Sequence, residues 1–196
     1  MKQAFVLTLT LILTLSLVPI TLFAGELAGV TLDDTTQIGE RTVTLSGMGI
    51  RTKTFLKIKV YVAGLYMENP SNDPVVIIGS EQAKAFVMSF LYKEVEAKSL
   101  QESWRAGFES NTPTAGPELK KRMDQFVSLF TVPAIKGEKF VFAYEPGKGT
   151  TVTLKGDIKA TIPGADFASA LMAIWFGDNL GDGGLKSLKN SILEGM

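Results

Sequence analysis

The sequence predicts an α+β domain built on a largely antiparallel sheet, set behind a hydrophobic leader. Three observations predict it. Apolar residues alternate with period two in segments toward both ends of the chain, and recur every three to four residues in the middle and at the C-terminus. The resulting order is strands, two helices, strands, two helices, which differs from the strict alternation of a parallel βαβ fold. After the leader, no repeat, low-complexity tract or linker divides the 196 residues, so one domain accounts for them.

The elements follow in order. After Lys2 the next charged residue is Glu26, and Ala4 to Ala24 between them is almost wholly Leu, Thr, Val, Ile and Phe. A short basic start, an apolar run and a small residue ahead of a polar segment read as a secretory signal peptide over residues 1–24, cleaved after Ala24 and leaving a domain of residues 25–196. The expected destination is the periplasm or the medium. Leu22 stands where a small residue is preferred, and an uncleaved anchor is the rival reading, since the run is about long enough to span a bilayer. No second run is.

Val30 to Leu32 and Arg41 to Ser46 read as short strands, with Gly47-Met48-Gly49 as punctuation. Phe55 to Met67 is the clearest strand. Strict alternation puts Ile58, Val60 and Val62 on one face and Lys57, Lys59, Tyr61, Ala63 and Leu65 on the other. Asn69 to Pro74 is a loop, Val75 to Ile78 a short strand or the edge of one, and Lys84 to Lys93 a strand with Phe86, Met88 and Phe90 on one side. The period then changes. Leu100, Trp104 and Phe108 mark a helix over Ala97 to Glu109, and Leu119, Met123, Phe126, Val127 and Phe130 a second from Pro117 to Phe130. Lys139 to Glu145 and Thr150 to Lys155 flank Pro146-Gly147-Lys148-Gly149 as a hairpin, followed by a strand over Ile158 to Ile162. Ala165 to Phe176 is apolar nearly all round, so a buried helix is expected there, stopped by Gly177, with a closing helix through Leu185, Leu188 and Ile192.

Composition removes whole classes of chemistry. With no histidine, Ser-His-Asp triads, histidine bases and the common zinc sites are excluded; with no cysteine, so are thiol nucleophiles, thiolate metal sites and disulfides. Losing residues 1–24 removes one lysine and no acid, which leaves 19 basic and 20 acidic residues. That balance argues against nucleic acid and against electrostatic docking on anionic lipid. Gly47-x-Gly49 lacks the third glycine and following helix of a phosphate loop. Asp73, Asp178 and Asp182 do not have the spacing of a metal site. No metal and no cofactor is therefore expected. Trp104 and Trp175 sit on helix stripes and read as core; Lys57 and Lys59 read as a solvated face, and Lys120-Lys121-Arg122 as exposed opposite the apolar stripe of its helix.

Taken together, four segments resemble the chalcone isomerase-like fold family, in particular its bacterial exported branch and its fatty-acid-binding relatives. They are Ser46-Gly47-Met48-Gly49-Ile50-Arg51 with Lys59 to Tyr66; Leu100 to Phe108; the Tyr144-Glu145-Pro146-Gly147 hairpin; and Ile162-Pro163-Gly164 through Ala173-Ile174-Trp175-Phe176-Gly177 to Leu188. They span most of the domain in family order. The resemblance implies an open-faced sandwich, a long antiparallel sheet packed against a helix layer, with a ligand cleft between them. In the fatty-acid-binding relatives an Arg of the Gly-x-Gly-x-Arg segment and a Tyr of the next strand hold a carboxylate; by resemblance these are Arg51 and Tyr61. The residue types suit the task. A guanidinium grips a carboxylate through two parallel hydrogen bonds, a tyrosine adds a neutral donor, and two glycines let the backbone bend to turn Arg51 inward. A buried arginine needs an anion, which a guest or an acid of its own chain can supply. The alternative is that Arg51 lies on the surface.

The resemblance also carries an enzymatic alternative, the cyclisation of a chalcone by an intramolecular lyase. The chain departs from it: Ala97-Lys98-Ser99-Leu100 has no Tyr at the start of the first helix, and Ile174 stands about where a Thr is expected. The leading expectation is an exported, non-catalytic binding protein for a fatty acid or similar apolar carboxylate, with no catalytic residue assigned. A cell-envelope interaction domain without a cleft is the third reading. Oligomeric state has no signature in the sequence.

Overall fold

The computed structural model describes residues 23–195, so the leader apart from its last two residues lies outside the described part. Eleven strands and five helices follow one another among these residues: β1 (Phe23–Leu27), β2 (Val30–Asp33), β3 (Thr35–Ile38), β4 (Arg41–Lys53), β5 (Ile58–Met67), α1 (Pro74–Gly79), β6 (Lys84–Phe90), β7 (Glu94–Val95), α2 (Ala97–Asn111), α3 (Pro117–Ser128), β8 (Ala134–Ile135), β9 (Lys139–Glu145), β10 (Gly149–Leu154), β11 (Asp157–Ile162), α4 (Ala165–Phe176) and α5 (Gly183–Glu194). Seven strands form one antiparallel sheet in the order β11-β10-β9-β6-β5-β4-β3; β1 pairs with β2, and β7 with β8. The expected cleavage point after Ala24 falls inside β1.

All the helices lie on one face of the sheet, which is the α+β sandwich expected. Phe86, Phe140 and Phe142 rise from β6 and β9 to meet Trp104 of α2, Phe126 of α3 and Trp175 of α4. Trp175 stacks on Phe86 at 4.0 Å between ring centroids, and Trp104 meets Phe126, Phe142 and Trp175 edge to face. Each such side chain contributes about 1.5–3 kcal/mol by leaving water, and the edge-to-face geometry adds to that. α4 is buried almost all round, as its composition predicts. The other face of the sheet is covered in part by Val30 and Leu32 of the β1–β2 hairpin, and Tyr66 donates to the Asp33 carbonyl at 2.8 Å.

Five local readings are corrected. β4 runs straight through Gly47-Met48-Gly49 to Lys53 instead of ending at Ser46. β5 begins at Ile58, because Thr54 to Lys57 form the turn of the β4–β5 hairpin. Lys59 is exposed, whereas Ile58 and Val60 lie with Tyr61 rather than opposite it. Val75 to Ile78 is helical: Asp73 caps the segment, its Oδ1 accepting from Val75 N at 2.8 Å, and Pro74 occupies the first turn, so local capping overrides the β-branched composition. Arg122 is not simply exposed; it reaches the Pro163 carbonyl at 2.8 Å and pairs with Asp166 in the first turn of α4.

Candidate functional site

The site begins with two glycines. Gly47, Gly49 and Arg51 point to one face of β4, and α5 is laid along them. A Cβ on Gly47 would strike the Ile192 carbonyl, and one on Gly49 would come within 2.8 Å of the Leu188 carbonyl. The glycines thus admit the backbone of α5 against the strand; they are not a bend that turns Arg51 inward, and neither has a positive φ. The same crossing brings the N-terminus of α5 over Arg51. Asp182 caps that helix, its Oδ1 accepting from Gly184 N at 2.9 Å and Leu185 N at 3.0 Å.

Arg51 is 7% exposed. Its Nη1 donates to Asp182 Oδ1 at 2.8 Å and to the Thr52 carbonyl, and its Nη2 donates to Asp182 Oδ2 at 2.6 Å. The buried cation therefore has an anion from its own chain, held in the two-pronged geometry that matches guanidinium to carboxylate. Asp182 itself is 43% exposed. Burial pushes its carboxyl up, but the Arg51 hydrogen bond, the two helix N–H groups and the guanidinium charge outweigh that and hold it below the ordinary range. Of the five N–H groups of Arg51, Nε–H and one on Nη2 are not taken up by Asp182 or Thr52, and the Tyr61 hydroxyl is the neighbouring acceptor.

Tyr61 stands directly across from Arg51 in the β4–β5 ladder. The register slips by one residue between Arg51 and Thr52, so Val60 is the extra residue of a bulge and its carbonyl accepts from both Leu91 N and Tyr92 N. The bulge is what breaks alternation and turns Ile58, Val60 and Tyr61 toward one space. The Tyr61 hydroxyl accepts from Trp175 Nε1 at 3.0 Å. Burial pushes the phenol up to about 12, against the Trp175 bond and Arg51. It therefore keeps its proton at neutral pH, and that proton has no acceptor among the described residues.

Arg51 and Tyr61 open onto one cleft of about 500 Å³. Its walls are Ile58 and Val60 of β5, Phe90 of β6, Leu100 and Trp104 of α2, and Ile174 of α4. Ser99 and Ser103 add hydroxyls from α2, and Tyr92, Glu94 and Glu96 also line the opening. The volume is that of a small-ligand site, largely apolar with a few convergent donors. Trp104 and Trp175 are core residues and cleft walls at once. The Trp104 N–H is buried without a hydrogen-bond partner among the described residues. Sequence reasoning missed Asp182 and the bulge. The signal for Asp182 was its place before Gly183-Gly184 as a helix cap; nothing in the local sequence marks the bulge.

The chain matches the family described as chalcone isomerase-like over residues 24–193. No curated protein matches it significantly. Among solved structures it is similar to the crystal structure of a fatty-acid binding protein of Arabidopsis thaliana, with a TM-score of 0.64 and 16% sequence identity over 85% of this chain and 92% of that one. At that identity the likeness bears on the fold, and it agrees with the antiparallel sheet and helix layer described above. With most of the described residues inside the match, and the sheet, helix layer and cleft in the arrangement the family resemblance implied, this chain belongs to the chalcone isomerase-like family.

Proposed function

We propose that the cleft binds a single-chain apolar molecule with an oxygen-bearing head, a fatty acid or close relative, and that the chain does so as an exported binding protein. The observation that carries the reading is one apolar cleft onto which Tyr61, its proton unspent, and Arg51 both open. The structural neighbour's described role in fatty-acid binding supports the same ligand class. Export rests on the apolar run from Ala4 to Ala24.

The Asp182 pairing is the alternative in which an acid of the same chain supplies the anion, so Arg51 does not by itself require a guest and the reading rests on the cleft and on Tyr61. The Arg51–Asp182 pair is neutral, so a carboxylate head has to share the guanidinium with a resident acid. Tyr61, which stays protonated, donates to either a charged or a neutral head. Asp182 thereby weakens anionic guests relative to neutral ones of the same chain length.

The test is native mass spectrometry of the purified chain for retained lipid, followed by displacement titrations with a fatty acid and the matching fatty alcohol. Asp182→Asn, which keeps a capping side chain, should tighten the acid severalfold and leave the alcohol unchanged. Tyr61→Phe should weaken both by about fivefold to tenfold, the loss of one hydrogen bond. No retained lipid, together with affinities that neither substitution moves, would sink the reading. Turnover of a chalcone above the spontaneous rate, abolished by Arg51→Met, would replace binding with catalysis.

A further inference from the structure

The β4–β5 hairpin ends in a feature that core packing does not explain. Phe55 is 92% exposed and its neighbour Leu56 67%. Tight hairpin turns favour small polar residues, and two adjacent large apolar side chains at the tip bury little against the described residues. The flanking Thr54 and Lys57 have φ of 66° and 52°, a left-handed backbone that costs non-glycine residues energy. Lys57 N closes the turn on the Thr54 carbonyl at 3.1 Å. Lys53, Lys57 and Lys59 surround the tip, all exposed, and none takes part in an ion pair among the described residues.

Charge is also sorted along the strands. The opposite end of the sheet carries Glu40, Glu68, Asp73, Glu81 and Glu145, where Arg41 and Lys148 are already paired with Glu68 and Glu145. A near-zero total thus conceals a basic hairpin tip and an acidic opposite end, with Glu138 and Asp157 at the tip's own end paired to Lys155 and Lys159, and the argument from net charge against anionic lipid does not hold locally. The basic tip also borders the cleft, because Lys53, Thr54 and Ile58 line it. Glu94 and Glu96 line the same opening, so the contact runs through the tip and not the whole rim.

We infer that the Lys53–Lys59 hairpin tip docks on the anionic face of a lipid bilayer. Phe55 and Leu56 sink into the interface while the three lysines sit among the headgroups. Docked this way, the mouth of the cleft meets the surface from which a poorly soluble guest leaves and to which it returns. The inference needs the tip and the position of the mouth but not the identity of the guest, so it stands or falls separately from the binding reading.

The chain has no cysteine, so one introduced cysteine accepts one label. A polarity-sensitive fluorophore is placed by Leu56→Cys, and in a second protein by Val75→Cys, a residue 76% exposed at the acidic end. Each is mixed with vesicles of phosphatidylcholine alone or of phosphatidylcholine with phosphatidylglycerol. The report is local to the label, so it reads the tip whether or not the leader is attached. The position-56 label should shift to the blue and become shielded from aqueous iodide with phosphatidylglycerol vesicles only, while the position-75 label stays unmoved. Replacing Lys53, Lys57 and Lys59 with glutamine should weaken the effect on the order of a hundredfold, and added salt should weaken it too. A position-56 label indifferent to both vesicles, or a position-75 label that responds equally, overturns the inference. So does a blue shift that needs no vesicles and grows with protein concentration, which would assign the tip to a second copy of the chain.

Discussion

Two buried cations face the helices from opposite ends of the same sheet. At the acidic end, Lys84 is fully buried and forms no ion pair among the described residues. Its ammonium donates to the carbonyls of Ile77 at 2.7 Å, Ile78 at 3.1 Å and Ser80 at 2.8 Å, closing the C-terminal end of α1, and lies 5.9 Å from the Tyr144 ring centroid. Three donors meet three acceptors and nothing is left over. At the basic end, Arg51 has a half-exposed partner in Asp182, two N–H groups that neither Asp182 nor Thr52 takes up, and a cleft in front of it. Burial of a charge is therefore a poor guide to function by itself. What separates the two is donors in excess of resident acceptors, and access from outside.

The largest effect that would sharpen this contrast is Lys84→Met. It fills the space with carbon but strands the α1 carbonyls, so unfolding stability should fall by about 2–4 kcal/mol in urea titrations. The affinity for a fatty acid at the other end should stay the same. A neutral result would mean that the three carbonyls find other partners and the contrast is lost. Next comes Gly49→Ala. Its Cβ meets the Leu188 carbonyl and side chain, so it should cost about 1–3 kcal/mol by overpacking. Because α5 carries Asp182, the same substitution should disturb the fatty-acid titration as well, which Lys84→Met does not.

The smallest effect is in the pH dependence at Asp182, and stability rises with pH at both ends, in different windows. The Asp182 carboxyl is held below its ordinary value in the fold, so its contribution is complete above about pH 4 and is lost as pH falls through the folded value. Asp182 is half-exposed and screened, so the change should be under about 1 kcal/mol. Asp182→Asn should flatten that part of the acid limb of a thermal-melt series. Burial pushes Lys84 down to about 8 from an ordinary 10.5. Between those values the unfolded chain binds more protons, so this group makes stability rise with pH, and Lys84→Met should remove the rise.

Much of the fold was legible in the sequence because it rests on periodicity. Leu100, Trp104 and Phe108 read as one helix face and are one; the all-apolar Ala165 to Phe176 segment is the buried helix its composition implies. Of the candidate site, only the two residues that line one cleft were legible. Arg51 and Tyr61 share a cleft, yet the acid that neutralises Arg51 lies 131 residues away, a distance no local pattern spans. Val60 escaped because alternation carries no mark of an extra residue. Gly47 and Gly49 were read for what they allow their own backbone to do, when what counts is the helix they let approach. Phe55 and Leu56 continued an apolar run by composition, and only the turn geometry sets them apart from the strand.

The closing helix gives the molecule a built-in order of completion. Because the acid that quiets Arg51 sits near the tail, a chain halted before Asp182 would hold every strand and both cleft tryptophans while leaving a bare guanidinium at the opening. A copy cut ahead of Asp182 would therefore present the Arg51 guanidinium to the cleft without its resident carboxylate.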